Sequence, residues 1–250
     1  MGRAAASAMC VLAVLPAARA QAFEAASIKL STGSGRGGGR SGPAPGGERY
    51  QASNTFLRLL IAEAYRVRFD QVTGGPDWID RDRFDINAKA ERPSKNPELR
   101  VMLQHLLADR FQLRFHRETK TVPVYELTAE KTGAKLRPPE APNADLAFEQ
   151  SPGAPHEVKM KGRSVPMDYL AWRLSRVLDR PVADRTSIAG AYDFDLHFIE
   201  EVAPEIVERL PSTHPTIFEA LRDQLGLRLE SRRGPVEILV IDRAVRPEEN

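Results

Sequence analysis

Asp193, Asp195 and His197 alternate with apolar residues, and their types and spacing are those of metal ligands. Alternate positions of a β-strand share one face, so two carboxylates and an imidazole there present oxygen and nitrogen donors together. A plainer reading competes. The interleaved Tyr192, Phe194, Leu196 and Phe198 form the apolar face of an amphipathic strand, whose other face must carry polar residues. That reading is preferred, because a working metal site recruits ligands from another element and a supporting shell.

His116-Arg117-Glu118 offers an imidazole and a carboxylate for acid–base work, but cross-strand ion pairing on a solvated face explains the same residues. Trp78, behind Gly74-Gly75-Pro76, is a candidate shelf for a sugar or peptide, with a turn-plugging core role preferred; Trp172 lies in a helical stripe and reads as core. The sequence holds neither a Gly-x-Ser-x-Gly elbow nor an H-E-x-x-H helix. Gly33-Ser34-Gly35-Arg36-Gly37-Gly38-Gly39 lacks the Lys-Ser/Thr of a phosphate loop and reads as a flexible insertion. Carboxylate pairs for glycoside hydrolysis are undecided, since their separation is three-dimensional. No catalytic residue and no cofactor is therefore assigned.

The elements that must position these residues recur along the chain. A helix capped by Asn54 carries Phe56, Leu57, Leu60, Ile61, Ala64 and Tyr65; one capped by Ser164 carries Met167, Leu170, Ala171, Leu174 and Leu178. Each leads to a short strand, at Gln71-Val72-Thr73 and Pro181-Val182-Ala183, and then to a turn. Alternating strands follow, with Phe84, Ile86 and Ala88 in one copy and Tyr192 to Phe198 in the other. A second helix comes next, after Pro97 in the first copy; in the second it follows Pro215, carries Ile217, Phe218, Leu221 and Leu225, and ends at Gly226. Each copy is expected to close with a hairpin, Leu113 and Phe115 into Val124, Tyr125 and Leu127, and Leu227 and Leu229 through Arg233-Gly234 into Val236 to Ile241. Paired elements lie about 110 residues apart. The predicted fold is α+β: two related β-α-β-β-α-β-β units, each an antiparallel sheet with two helices on one face. The predicted boundaries are 21–136, with a Gly-rich loop at 31–48, and 157–250, joined by a Pro-rich linker at 137–156.

Residues 1–20 read as a cleavable export signal: Arg3, an apolar run too short to span a bilayer, then Ala18-Arg19-Ala20 as the small-residue cleavage site. Cleavage takes Arg3 and Arg19 with it, so 36 basic residues become 34 against 34 acidic ones. It also removes Cys10, the single cysteine. A neutral, thiol-free chain lacks a basic stripe for nucleic acid and uses no disulfide or thiolate metal site. The expected location is secreted or periplasmic, and no later apolar run is long enough to span a membrane.

Several strings resemble those of a soil-associated, acidobacterial family of secreted proteins of unknown function. They are Gly74-Gly75-Pro76-x-Trp78, Arg83-Phe84-Asp85-Ile86-x-Ala88-Lys89, Leu106-Leu107-Ala108-Asp109-Arg110-Phe111, His116-Arg117-Glu118-Thr119, Arg180-Pro181-Val182-x-Asp184-x-Thr186, Gly190-x-Tyr192-Asp193-Phe194 and Gln224-Leu225-Gly226-Leu227, with the run from Gly234 to Asp242. Ser187 departs from the pattern, which has glycine there. Some members are joined to a membrane peptidase of the antibiotic-sensor type, and the repeated unit is more loosely similar to the short N-terminal domain of secretins and TonB-dependent receptors. The resemblance implies sensing or binding and supplies no catalytic residue. The expectation is a non-enzymatic protein contacting an envelope protein or cell-surface polymer; an extracytoplasmic hydrolase and a ligand sensor beside a membrane partner are the alternatives.

Overall fold

Alternating burial along Arg49–Phe56 and Arg83–Lys89 turns one side of each strand to a core, which is how a half-buried sheet begins. The structure is a computed structural model that describes residues 22–33, 40–44, 46–141, 145–153, 156–199 and 215–248. The expected export signal, residues 1–20, and residues 34–39 of the Gly-rich run lie outside the described residues. Among them the fold is mixed α+β, with four α-helices and three mostly antiparallel sheets.

The first sheet has the order β1 (Ala25–Leu30), β5 (Arg83–Lys89), β3 (Arg49–Phe56), β2 (Arg40–Pro43). The second has the order β10 (Ala191–Ile199), β8 (Glu157–Pro166), β7 (Ala147–Pro152). α1 (Leu57–Tyr65) and α2 (Asn96–Arg110) pack their apolar stripes with the first sheet around Leu60, Phe84, Leu107 and Phe111. α3 (Met167–Ser175) and α4 (Ile217–Leu225) do the same with the second around Leu170, Phe194, Leu196 and Leu221.

The third sheet joins the two cores. β6 (Arg114–Ala129) and β11 (Leu227–Arg243) pair antiparallel along their whole length, flanked by β4 (Val72–Gly74) on β11 and β9 (Val182–Asp184) on β6, both parallel. Leu239 and Ile241 of β11 enter the first core, while Leu127 of β6 enters the second. Each core is thus closed by strands from both halves of the chain.

This corrects the two predicted hairpins. Arg233-Gly234 is the expected turn of the second hairpin, but Gly234 lies in a strand opposite Val122 and the ladder continues through it; residues 114–129, expected to fold back on themselves, form one strand. A ribbon bridging two cores needs no buried face at its middle, so polarity there marks exposure and not a turn. Among the described residues β4 and β9 flank only 239–241 and 125–127, leaving the middle of both long strands as open edges. Pro123 and Pro235 are tolerated there because no neighbouring strand needs their missing N–H.

Four further expectations change. Asn54 and Ser164 cap no helix; the N-cap residues are Phe56 and Pro166, and neither cap is made by a side chain. Asn54 and Ser164 instead occupy left-handed backbone, φ 53° and 52°, at strand irregularities just before α1 and α3. Residues 147–152 of the expected linker form β7, and Arg40–Pro43 of the expected Gly-rich loop form β2. Phe218 is 39% exposed and stacks edge-on against Tyr125 instead of joining the core stripe of α4. α4 is capped by Thr216, in a reciprocal capping box with Glu219, and ends on Gly226 at φ 62°. Ser187 stands at φ 57°, left-handed backbone that explains glycine as the expected residue.

Candidate functional site

Asp193, Asp195 and His197 do not converge. Asp193 is only 3% exposed and accepts the backbone N–H groups of Ser164 (2.8 Å) and Glu140 (3.2 Å). Burial pushes its carboxyl up, but those N–H groups and nearby Arg163 and Arg137 outweigh burial and hold it below the ordinary carboxylate range. Asp195 pairs with Arg137 and Arg163, and the backbone of His197 is held on both sides by the Gln224 amide. Among the described residues no three His, Cys, Asp or Glu side chains are grouped to hold a metal. Trp78 is 9% exposed in a 3-10 turn (Asp77–Asp80), packed edge-on against Phe84 and covered by Arg246. His116 bonds Asp242 across the ribbon at 2.7 Å, with Glu118 beside it, and Arg117 bonds Glu237.

The arrangement with chemistry left unspent lies elsewhere, in the seam where α1 of the first half meets α3 of the second. Arg68, just past α1, donates to the carbonyls of Ser175, Leu178 (2.6 Å) and Asp179 (3.3 Å) and so satisfies the C-terminal end of α3. Arg176 pairs with Glu63 at 2.9 Å, and Arg66 reaches Asp168 at 3.5 Å while lying 4.8 Å over the Tyr169 ring.

Two depressions open beside these contacts, and Glu63 lines both. The larger, about 310 Å³, is walled by Leu59, Ala62, Val67, Phe69 and Arg176, among others. The smaller, about 50 Å³, is walled by Tyr50, Arg66, Asn96, Arg100, Tyr169 and Trp172, with Pro43, Glu63 and Leu103 completing it. Two of these residues, Trp172 and Arg100, bury Nε1 and Nε respectively without an acceptor among the described residues. The Tyr50 hydroxyl, 2% exposed as a residue, also lacks a hydrogen bond of good geometry, although Ser41 stands near. Burial, reinforced by Glu63, pushes the Tyr50 hydroxyl well above the usual phenol range. Burial and neighbouring Arg66 push Arg100 down. Each unmade hydrogen bond at a buried donor costs about 1–3 kcal/mol. Three residues that carry such groups line one small cavity.

None of these wall residues stood out in the sequence as a ligand contact. Trp172 read as core, and it is 7% exposed, but its ring edge is the part that matters. Tyr50, Arg66, Arg100 and Trp172 come from β3, the end of α1, α2 and α3, so no local spacing links them. The one available signal was Arg100 beside the apolar stripe of α2, where Leu99 and Leu103 are fully buried.

The fold and seam define a class: a two-core α+β protein with an aromatic and guanidinium-lined cavity between its halves. Residues 58–244 match a family described as protein of unknown function (DUF3738), and the chain belongs to that family. No curated protein and no solved structure shows a significant match.

Proposed function

We propose that this chain is an exported, extracytoplasmic binding protein, built from two related α+β units, that holds its ligand in the α1–α3 seam and serves contact with an envelope protein or cell-surface polymer. The observation that carries this reading is the set of buried, unpartnered donors around the smaller cavity. Polar groups that have given up water without finding a partner are what a binding site contributes and a packed core avoids. The wall is made of arginine, tyrosine and tryptophan, which anchor ligands with little conformational loss. Its one carboxylate, Glu63, is already engaged by Arg176, which weighs against the hydrolase alternative at this site. Because the wall draws on both halves, an occupant would also stiffen one half against the other, which favours the sensing version of the same role. No helix among the described residues is long and apolar enough to cross a membrane.

Hydrogen–deuterium exchange of the mature chain, with and without a soluble extract of the expressing cell's envelope, tests this. Protection is expected in α1 and α3 and absent in the Trp172→Phe variant. Protection confined to the outer strands β1, β2 or β7 would move the binding face to a sheet edge and overturn the seam assignment.

A further inference from the structure

We infer that the smaller seam cavity binds an oxyanion, the carboxylate or phosphate group of a ligand whose remainder lies outside, with Arg100 and Tyr50 donating from one half and Trp172 from the other. This rests on the seam being the binding site and adds the chemical class of what enters it.

Two of the unpartnered groups can only donate. An indole N–H and a guanidinium Nε–H have no acceptor capacity, so the ligand atoms they require must be rich in lone pairs and need not carry hydrogen. Charge points the same way. Arg66 and Arg100 line the cavity against one carboxylate, Glu63, and that carboxylate is neutralised by Arg176. Asp168, the partner of Arg66, is 66% exposed and 3.5 Å away, too solvated to cancel the guanidinium.

Two guanidinium groups share a partly dehydrated space, and an anion between them relieves the strain of both; planar guanidinium also matches carboxylate and phosphate geometry. A sugar hydroxyl fits less well, since it donates as well as accepts. The cavity, about 50 Å³, admits a group of a few heavy atoms and not a whole ring.

The test uses the mature full-length chain. Trp78 and Trp172 are the two tryptophans, so Trp78→Phe makes Trp172 the sole indole reporter. Sodium phosphate, sodium acetate and N-acetylglucosamine are titrated separately at ionic strength held constant with sodium chloride. Thermal unfolding of the unaltered protein is followed in parallel, in case Trp78→Phe perturbs folding. A saturable fluorescence change with one or both anions is expected, with a matching rise in Tm, and a loss of affinity of about tenfold or more in Arg100→Gln. The tighter of the two anions tells carboxylate from phosphate. Saturation by N-acetylglucosamine alone would overturn the oxyanion class while leaving the seam as the binding site. Anion effects equal in Arg100→Gln and the parent, or no effect beyond chloride, would overturn the inference, and the seam itself is then judged by the exchange experiment above.

Discussion

The two halves leave their strands for a helix by the same backbone manoeuvre, and they secure it differently. In the first, Asn54 at φ 53° donates its N–H to Asp85 at 2.7 Å; in the second, Ser164 at φ 52° donates to Asp193 at 2.8 Å. Asp85 is exposed, whereas Asp193 is 3% exposed, takes a second N–H from Glu140, and lies 3.9 Å from Arg163. One lock is wet and the other dry. The wet one can be replaced by water when it is cut; the dry one leaves its donors with nothing.

The largest expected effect follows from that contrast. Asp193→Ala should lower the free energy of unfolding by about 2–4 kcal/mol, and Asp85→Ala by about 1 kcal/mol or less, in urea denaturation. Equal losses would mean that burial does not separate the two locks. The pH dependence has a definite sign. A carboxyl whose folded-state pKa is depressed stabilises above its unfolded-state pKa, and that stability disappears as pH falls through the folded value. Asp193→Asn should therefore flatten part of the acid limb of the stability profile.

A smaller effect concerns what packs beside each lock. Ala52 sits opposite Ile86 in the first half, and Gly162 sits opposite Phe194 in the second. The smaller residue lies on the strand that leads into the helix in each pair, and the second half carries the same division of volume further. A Cβ on Gly162 would stand 2.5 Å from the Phe194 ring. Gly162→Ala should cost about 1–3 kcal/mol by overpacking. Adding Phe194→Ile imports the solution of the first half, and the pair should recover a large part of the loss in the same unfolding assay. A double variant no more stable than Gly162→Ala would break the equivalence of the two positions.

These pairs also show how much was legible in the sequence. Period-2 alternation at Phe84, Ile86 and Ala88, helical spacing through Leu170, Ala171 and Leu174, and Gly226 after an apolar stripe each report a local preference, and local preferences survive in the structure. Asn54 and Ser164 misled, because residues that cap helices also tolerate left-handed backbone, and both roles place them next to a helix start. The exchange of long strands between cores was hidden, since the pairing of Leu239 with Arg117 is set by two sequence segments that carry no mark of each other. The seam cavity was hidden for the same reason. Its character lies in buried atoms without partners, and partnership is a property of the folded arrangement.

The seam contact made by Arg68 is one-directional, and this too can be measured. Arg68 donates to three carbonyls at the end of α3 and pairs with Asp70 at 2.9 Å. The residue at the corresponding place in the second half is Leu178, a buried apolar side chain. Arg68→Ala should destabilise the protein by about 1–2 kcal/mol, chiefly by freeing α3. Hydrogen exchange should then accelerate at Ser175 to Asp179 more than at the end of α1. Equal acceleration at both helices would show that the seam acts as one symmetric contact.

The two ends of the long ribbon offer the finest version of the comparison. Near the first core it carries His116 against Asp242 and Glu118; near the second it carries Arg228 and Arg232 against Glu230 and Glu126. Only the first set contains a group that changes charge near neutrality. The hydrogen bond to Asp242 is the main reason the His116 pKa is raised, opposed by desolvation and helped by Glu118. A raised folded-state value means that the stabilisation is fully present below the unfolded pKa, near 6.5, and fades as pH rises through the folded value. Amide exchange at residues 114–118, corrected for intrinsic rates, should therefore speed up across that rise in the unaltered protein and lose this dependence in His116→Ala. Residues 124–128, braced by guanidinium groups that keep their charge, should show no matching step. The side chain is half exposed, so the change will be small, and its confinement to one end of the ribbon is the discriminating result.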